Sequence, residues 1–159
     1  MAAVIGREFS YRVLSAALPQ PEMAGTALQE MIRAGLIVAN GEPPHATYTF
    51  KHALVRDATY ATLLRSQRKA LHARLARILE EKFPEMADKE PELLARHYTG
   101  ADMPESAIRY WRKAGEQSLR RFANAEAISH FSEALRLDLL AFESHEACGI
   151  EWPRLGYAT

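Results

Sequence analysis

The stretch Thr47 to Tyr60, reading TYTFKHALVRDATY, restricts the fold more than any other part of this chain. A short strand carrying Tyr48 and Phe50 runs straight into a helix that begins near Lys51, with His52 at the junction. Leu54, Ala58 and Ala61 fall at helical spacing and predict an apolar stripe behind that corner. The first N–H groups of a helix have no intrahelical partner, so a histidine placed there can meet an anion or serve as a buried hinge.

What surrounds the corner follows from turn and cap signals. Phe9, Val13, Leu14 and Ala17 predict a helix over Phe9 to Leu18, ended by Pro19-Gln20-Pro21. Pro21 to Ala34 reads as a second helix with Ala24, Leu28, Met31 and Ile32 inward and Gly35 as its C-terminal cap. Leu36 to Ala39 is β-prone, Asn40-Gly41 and Pro43-Pro44 supply turn chemistry, and Thr47 to Phe50 returns as a strand. Two helices, a small β-hairpin and a further helix predict a winged-helix-like domain over residues 1–66.

Beyond Ser66 the pattern is helical. Leu71, Leu75, Ile78, Leu79 and Phe83 make one stripe, stopped by Pro84. Asp88 and Pro91 open another helix up to Gly100, and Pro104 to about Phe122 a third, with Asp102 and Glu105 as a variant capping box. Asn124 caps a last helix from Ala125 to Leu140. Trp111, Gly115, Ala127, Phe131 and Ala134 recur with a spacing similar to a tetratricopeptide helical hairpin, the small residues allowing close approach and the two aromatics filling space between neighbouring hairpins. The fold class expected is therefore mainly α: a winged-helix module, then a tetratricopeptide-like array over 67–140, then an irregular tail over 141–159 broken by Gly149, Pro153 and Gly156.

Bulk composition excludes several classes. Twenty basic residues balance twenty acidic ones, so no global field draws the chain to nucleic acid or membrane. The single cysteine, Cys148, rules out an internal disulfide framework and fits a reducing compartment. No signal peptide stands at Met1 and no apolar run reaches transmembrane length, which predicts a cytoplasmic protein.

The catalytic search is short. No glycine-rich phosphate loop, no nucleophile elbow and no zincin pair is present; His145-Glu146 meets Gly149 where a second histidine would be needed. Catalytic residues, metal ligands and bound cofactors are therefore expected to be none. His72, His97 and His130 read as structural, as do Tyr98, Tyr110, Trp111 and Phe131. Lys51, Arg56, Arg65, Arg68, Lys69, Arg74 and Arg77 form a basic run, followed by an acidic one from Glu80 to Glu92. Complementary solvated faces explain these runs better than a basic face for an acidic partner, phosphate or nucleic acid. The helix before the wing carries only Arg33 as a base and the wing only Glu42, so the alternative of a DNA-binding transcriptional regulator has little phosphate-neutralising charge behind it.

Several separated motifs occur in order. Ala3 to Phe9, Leu28 with Ala34 to Ile37, Tyr48 to Asp57, Leu71-His72 and His97-Tyr98 together resemble the region after the ATPase core in STAND signal-transduction ATPases, and Ala107 to Leu137 carries the likeness into the repeats. The resemblance covers residues 2–140 and points to bacterial proteins in which an adenylate or guanylate cyclase domain precedes the ATPase, with related transcription activators as a second group. It implies that the winged helix folds back on an ATP- or ADP-binding domain, that His52 senses the nucleotide phosphate in the intact parent, and that the repeats receive a protein partner. Lys51-His52-Ala53 occupies the place of the family's Met-His-Asp motif, with Ala53 where an acid is usual. The phosphate loop is missing upstream of Met1, so the expectation is a truncated frame or excised fragment whose partners are an upstream ATPase domain and an unknown protein.

Overall fold

The structure, a computed structural model, describes the backbone of residues 1–147 and the side chains of residues 1–142. The described chain is mainly α with one small antiparallel sheet, in two compact units.

The first unit comprises residues 1–89 together with 100–102. It opens with α1 (Ala2–Ile5), β1 (Glu8–Ser10) and α2 (Tyr11–Ala17), continues with α3 (Met23–Arg33), β2 (Ile37–Asn40) and β3 (Thr47–Phe50), and closes with α4 (Ala53–Ala61), α5 (Arg65–Lys82) and α6 (Pro84–Lys89). The helix expected from Phe9 begins at Tyr11 instead, and Glu8 to Ser10 form a strand. Phe9 sits opposite Tyr48, its ring stacked on the tyrosine at 5.6 Å, while the Ser10 hydroxyl accepts the Val13 N–H at 3.2 Å and starts the helix. One apolar stripe at helical spacing was compatible with either geometry for Phe9; pairing with β3 decides it.

The sheet order is β1-β3-β2, so β3 is central. Alternation along β3 sends Tyr48 and Phe50 into the core and leaves the threonines half-buried. Ile37 faces Phe50 across the ladder, and these two are among the most deeply buried large side chains. Helix α3 ends where expected: Gly35 adopts φ 70°, its N–H bonds the Ile32 carbonyl and the Leu36 N–H bonds the Met31 carbonyl. Pro84 likewise separates α5 from α6.

This unit runs past the boundary expected at residue 66. Helix α5 packs on α1 and α2 within this unit, and its Leu75, Ala76 and Leu79 are buried.

The second unit comprises residues 90–99 and the chain from Met103 onward. Its helices are α7 (Pro91–Gly100, all but the last residue), α8 (Pro104–Arg120) and α9 (Asn124–Ala147). Helix α9 continues beyond the end expected at Leu140, through Ala147. The remaining part of the expected tail, with Cys148, Gly149, Pro153 and Gly156, lies outside the described residues, as does the side chain of His145. Among the described residues no helix is long and apolar enough to cross a membrane.

Candidate functional site

The strand-to-helix corner is held from both sides by its backbone. The Phe50 N–H bonds the Arg7 carbonyl at 3.0 Å and the Lys51 N–H bonds the Leu36 carbonyl at 3.0 Å. His52 then takes extended dihedrals as the N-cap of α4 and makes no side-chain capping bond. Lys51 and His52 are both exposed, and the first turn of α4 carries no acid. An imidazole beside an ammonium and unopposed helix N–H groups can receive an anionic oxygen.

The stripe behind the corner is oriented differently from expectation. Helix α4 buries no residue, and Leu54 is 81% exposed with Ala58 and Ala61 also outward. Val55 and Tyr60 turn toward the core in their place. Consecutive helix residues are rotated by about 100°, so the direction in which β3 delivers the chain selects the Val55 side over the Leu54 side.

The far end of α4 is tied down by residues whose roles the sequence did not disclose. The Arg68 guanidinium donates to the Ala61 and Leu63 carbonyls, each at 2.9 Å, and lies 4.7 Å from the Tyr60 ring centroid. It thus pairs carbonyls that a helix C-terminus leaves open. Lys69 pairs with Asp102, which holds the Asp102 carboxyl below its ordinary pKa through that hydrogen bond and charge. Arg56 Nε bonds Asp57 at 2.9 Å. Three members of the basic run therefore serve local partners.

The Tyr60 hydroxyl lies 3.0 Å from His72 Nε2, and Gly100 packs so close to the imidazole that a Cβ there would come within 2.8 Å of the ring. Burial lowers the His72 pKa from its ordinary 6.5. Below that value the unfolded chain binds the proton more readily than the folded one. The contribution of His72 to stability is thus complete above 6.5 and is lost as the pH falls through 6.5 toward the lowered folded value. Thermal melts between about pH 7.5 and 5 should show the midpoint of the wild type falling more steeply than that of His72→Gln. Parallel curves would show that His72 stays solvated.

In the second unit the residues with repeat spacing meet between α8 and α9, and Trp111 reaches α7 as well. The Phe131 ring lies over Gly115, leaving no space for a Cβ. Trp111 Nε1 donates to the Thr99 hydroxyl at 3.1 Å and its ring stacks on His130 at 5.4 Å. Phe131 therefore packs inside the α8–α9 hairpin, whereas Trp111 reaches both α9 and the preceding helix α7. Ala127 and Ala134 are buried along the α8–α9 contact, as small residues at a close helix crossing must be. Tyr98 stacks on Tyr110 at 5.6 Å.

Among the described residues no cluster of three or more His, Cys, Asp or Glu could hold a metal ion. The chain matches no protein-family model and no solved structure. It is 30% identical over 138 residues to an uncharacterized protein of Rhizobium meliloti (strain 1021), an alignment that covers 86% of this chain and 13% of that protein. The chain thus spans about an eighth of the length of the relative it matches.

Proposed function

We propose that this chain is the regulatory and protein-interaction region of a multidomain signal-transduction ATPase, cyclase-linked and cytoplasmic, with no catalytic role of its own. The first unit acts as a winged helix that docks on a nucleotide-binding domain through α4 and His52, and the helical hairpin of the second unit, tetratricopeptide-like, receives a protein partner. ATP or ADP belongs to the docked ATPase domain, where His52 would read the phosphate.

The observation that carries this proposal is the orientation of α4. Its two ends are fixed by backbone and Arg68 hydrogen bonds, yet it turns Leu54, Ala58 and Ala61 to solvent beside an exposed His52. A rigid helix with its apolar stripe outward is a surface awaiting cover. The similarity to a small part of a much longer protein accords with a region of a longer, multidomain chain.

The test is a titration of the 159-residue chain with an ADP-loaded STAND ATPase domain. Leu54→Glu and His52→Ala should each weaken binding by about tenfold or more. Both sites are exposed, so the melting temperature should hold. Equal binding by both variants, or no binding by the wild type, would remove the proposal.

A further inference from the structure

Helix α9 is apolar along two sides. Ala127, Ala134 and Leu137 are buried along its contact with α8 and account for one of them. The other runs away from α8 through Ala125, Ile128, Ser132, Leu135, Leu139 and Phe142, and all six are exposed. Ile128 is 68% exposed, Leu135 64%, Leu139 65% and Phe142 50%. Single apolar side chains at a surface are ordinary, but four large ones in one line are the mark of a face that meets another protein surface.

The spacing along that line says what shape covers it. Successive positions step by 3, 4, 3, 4 and 3 residues, a 3.5-residue repeat. This is the period with which one α-helix packs along another, each seam side chain entering a hole between four residues of its neighbour.

The seam also fits its own reverse. In an antiparallel helix pair, alternate seam positions of one helix face the opposite positions of the other. A twofold axis between Ser132 and Leu135 sets Phe142 against the partner's Ala125, Leu139 against the partner's Ile128, and Leu135 against the partner's Ser132. The same three layers recur on the far side of the axis. Large thus faces small, or two of middle size meet, and the layers fill evenly. Parallel helices in register would put Phe142 on the partner's Phe142 and Ala125 on the partner's Ala125, overfilling one layer and leaving another empty. Arg136, which donates to Glu133 at 2.7 Å, lies on one edge of the seam and Asp138 on the other. In antiparallel order Arg136 falls across from the partner's Ser129, and no two like charges oppose.

We propose that this side of α9 binds the same side of a second copy of the chain, as an antiparallel helix pair about a twofold axis. The helix is already ordered by its contact with α8, so association does not carry the cost of forming it. Identical surfaces meet, so the contact closes at two copies. Neither α4 nor His52 takes part, which separates this pairing from the docking of the first unit.

The experiment is sedimentation equilibrium of the full chain from about 2 to 300 μM. The mass should rise from 17.9 kDa toward twice that value, with a Kd on the order of 10 μM. Leu135→Glu with Leu139→Glu should weaken association by about a hundredfold or more. Both side chains are exposed, so the melting temperature of that variant at low concentration should match the wild type. Leu54→Glu with Leu64→Glu, equally exposed but in the first unit, should leave association intact. The direction of pairing is read by cysteine cross-linking in a Cys148→Ser background. Ile128→Cys chains mixed with Leu139→Cys chains should form a disulfide, and neither variant should do so alone. A chain that stays monomeric at about 300 μM, an equal loss with the Leu54 and Leu64 pair, or cross-linking of either variant with itself would each overturn the inference.

Discussion

Phe50→Ala should lower the stability of the first unit by about 3–5 kcal/mol, the cost of emptying a fully packed aromatic site. Phe50 is 1% exposed, lies opposite the equally buried Ile37, and holds its ring 5.8 Å from that of Phe9. Truncation would therefore open a cavity at the junction of all three strands, where rigid strand backbones limit collapse into the gap. For a unit of this size each kcal/mol corresponds to roughly 4 °C, so the melting midpoint should fall by more than about 10 °C. The same substitution should reach the candidate site, because Phe50 is two residues from His52 and its N–H anchors the corner to Arg7. Thermal unfolding by circular dichroism tests the first effect. A loss below about 1 kcal/mol would mean that the sheet core is loosely packed.

Gly115→Leu should be nearly as damaging in the second unit, at about 3 kcal/mol, and its partner is known in advance. A Cβ at residue 115 would lie 2.7 Å from two ring carbons of Phe131, closer than any carbon pair tolerates. A leucine must push the ring aside and separate α8 from α9. Phe131→Ala alone should cost about 2–3 kcal/mol by removing the ring from the groove. The double variant should be more stable than the sum of the two losses by about 1 kcal/mol or more, since the new side chain enters the space the ring vacated. A full double-mutant cycle in urea measures this coupling. Strict additivity would show that Gly115 and Phe131 do not share one cavity.

These two sites mark different degrees of legibility. Gly115 and Phe131 stood out in the linear sequence because small and aromatic residues recurred at helical spacing, and the hairpin they imply is present. Which surface the aromatics fill was not legible, since spacing specifies a face of a helix and says nothing about whether its cover comes from the same hairpin or the next. Helix ends were clearer: Gly35 and Pro84 act through local backbone geometry, and both terminate helices where expected. Phe9 was misassigned because a strand of three residues is too short to impose its own period. Its partner Tyr48 lies far along the chain.

The candidate corner divides in the same way. That His52 lies between a strand and a helix follows from neighbouring residues alone, because β-prone aromatics and helix-forming alanines are separated by two positions. The exposure of Leu54 and the enclosure of His72 between Tyr60 and Gly100 depend on contacts across many residues, and the capping of Ala61 and Leu63 by Arg68 on the turn that brings α5 back to the end of α4. Local order in this protein is written by turn chemistry and periodicity, which act over a few bonds. Which apolar face is covered, and which cation stays at the surface, is set by packing, because burial is a property of the assembled core and a single stripe is compatible with more than one neighbour.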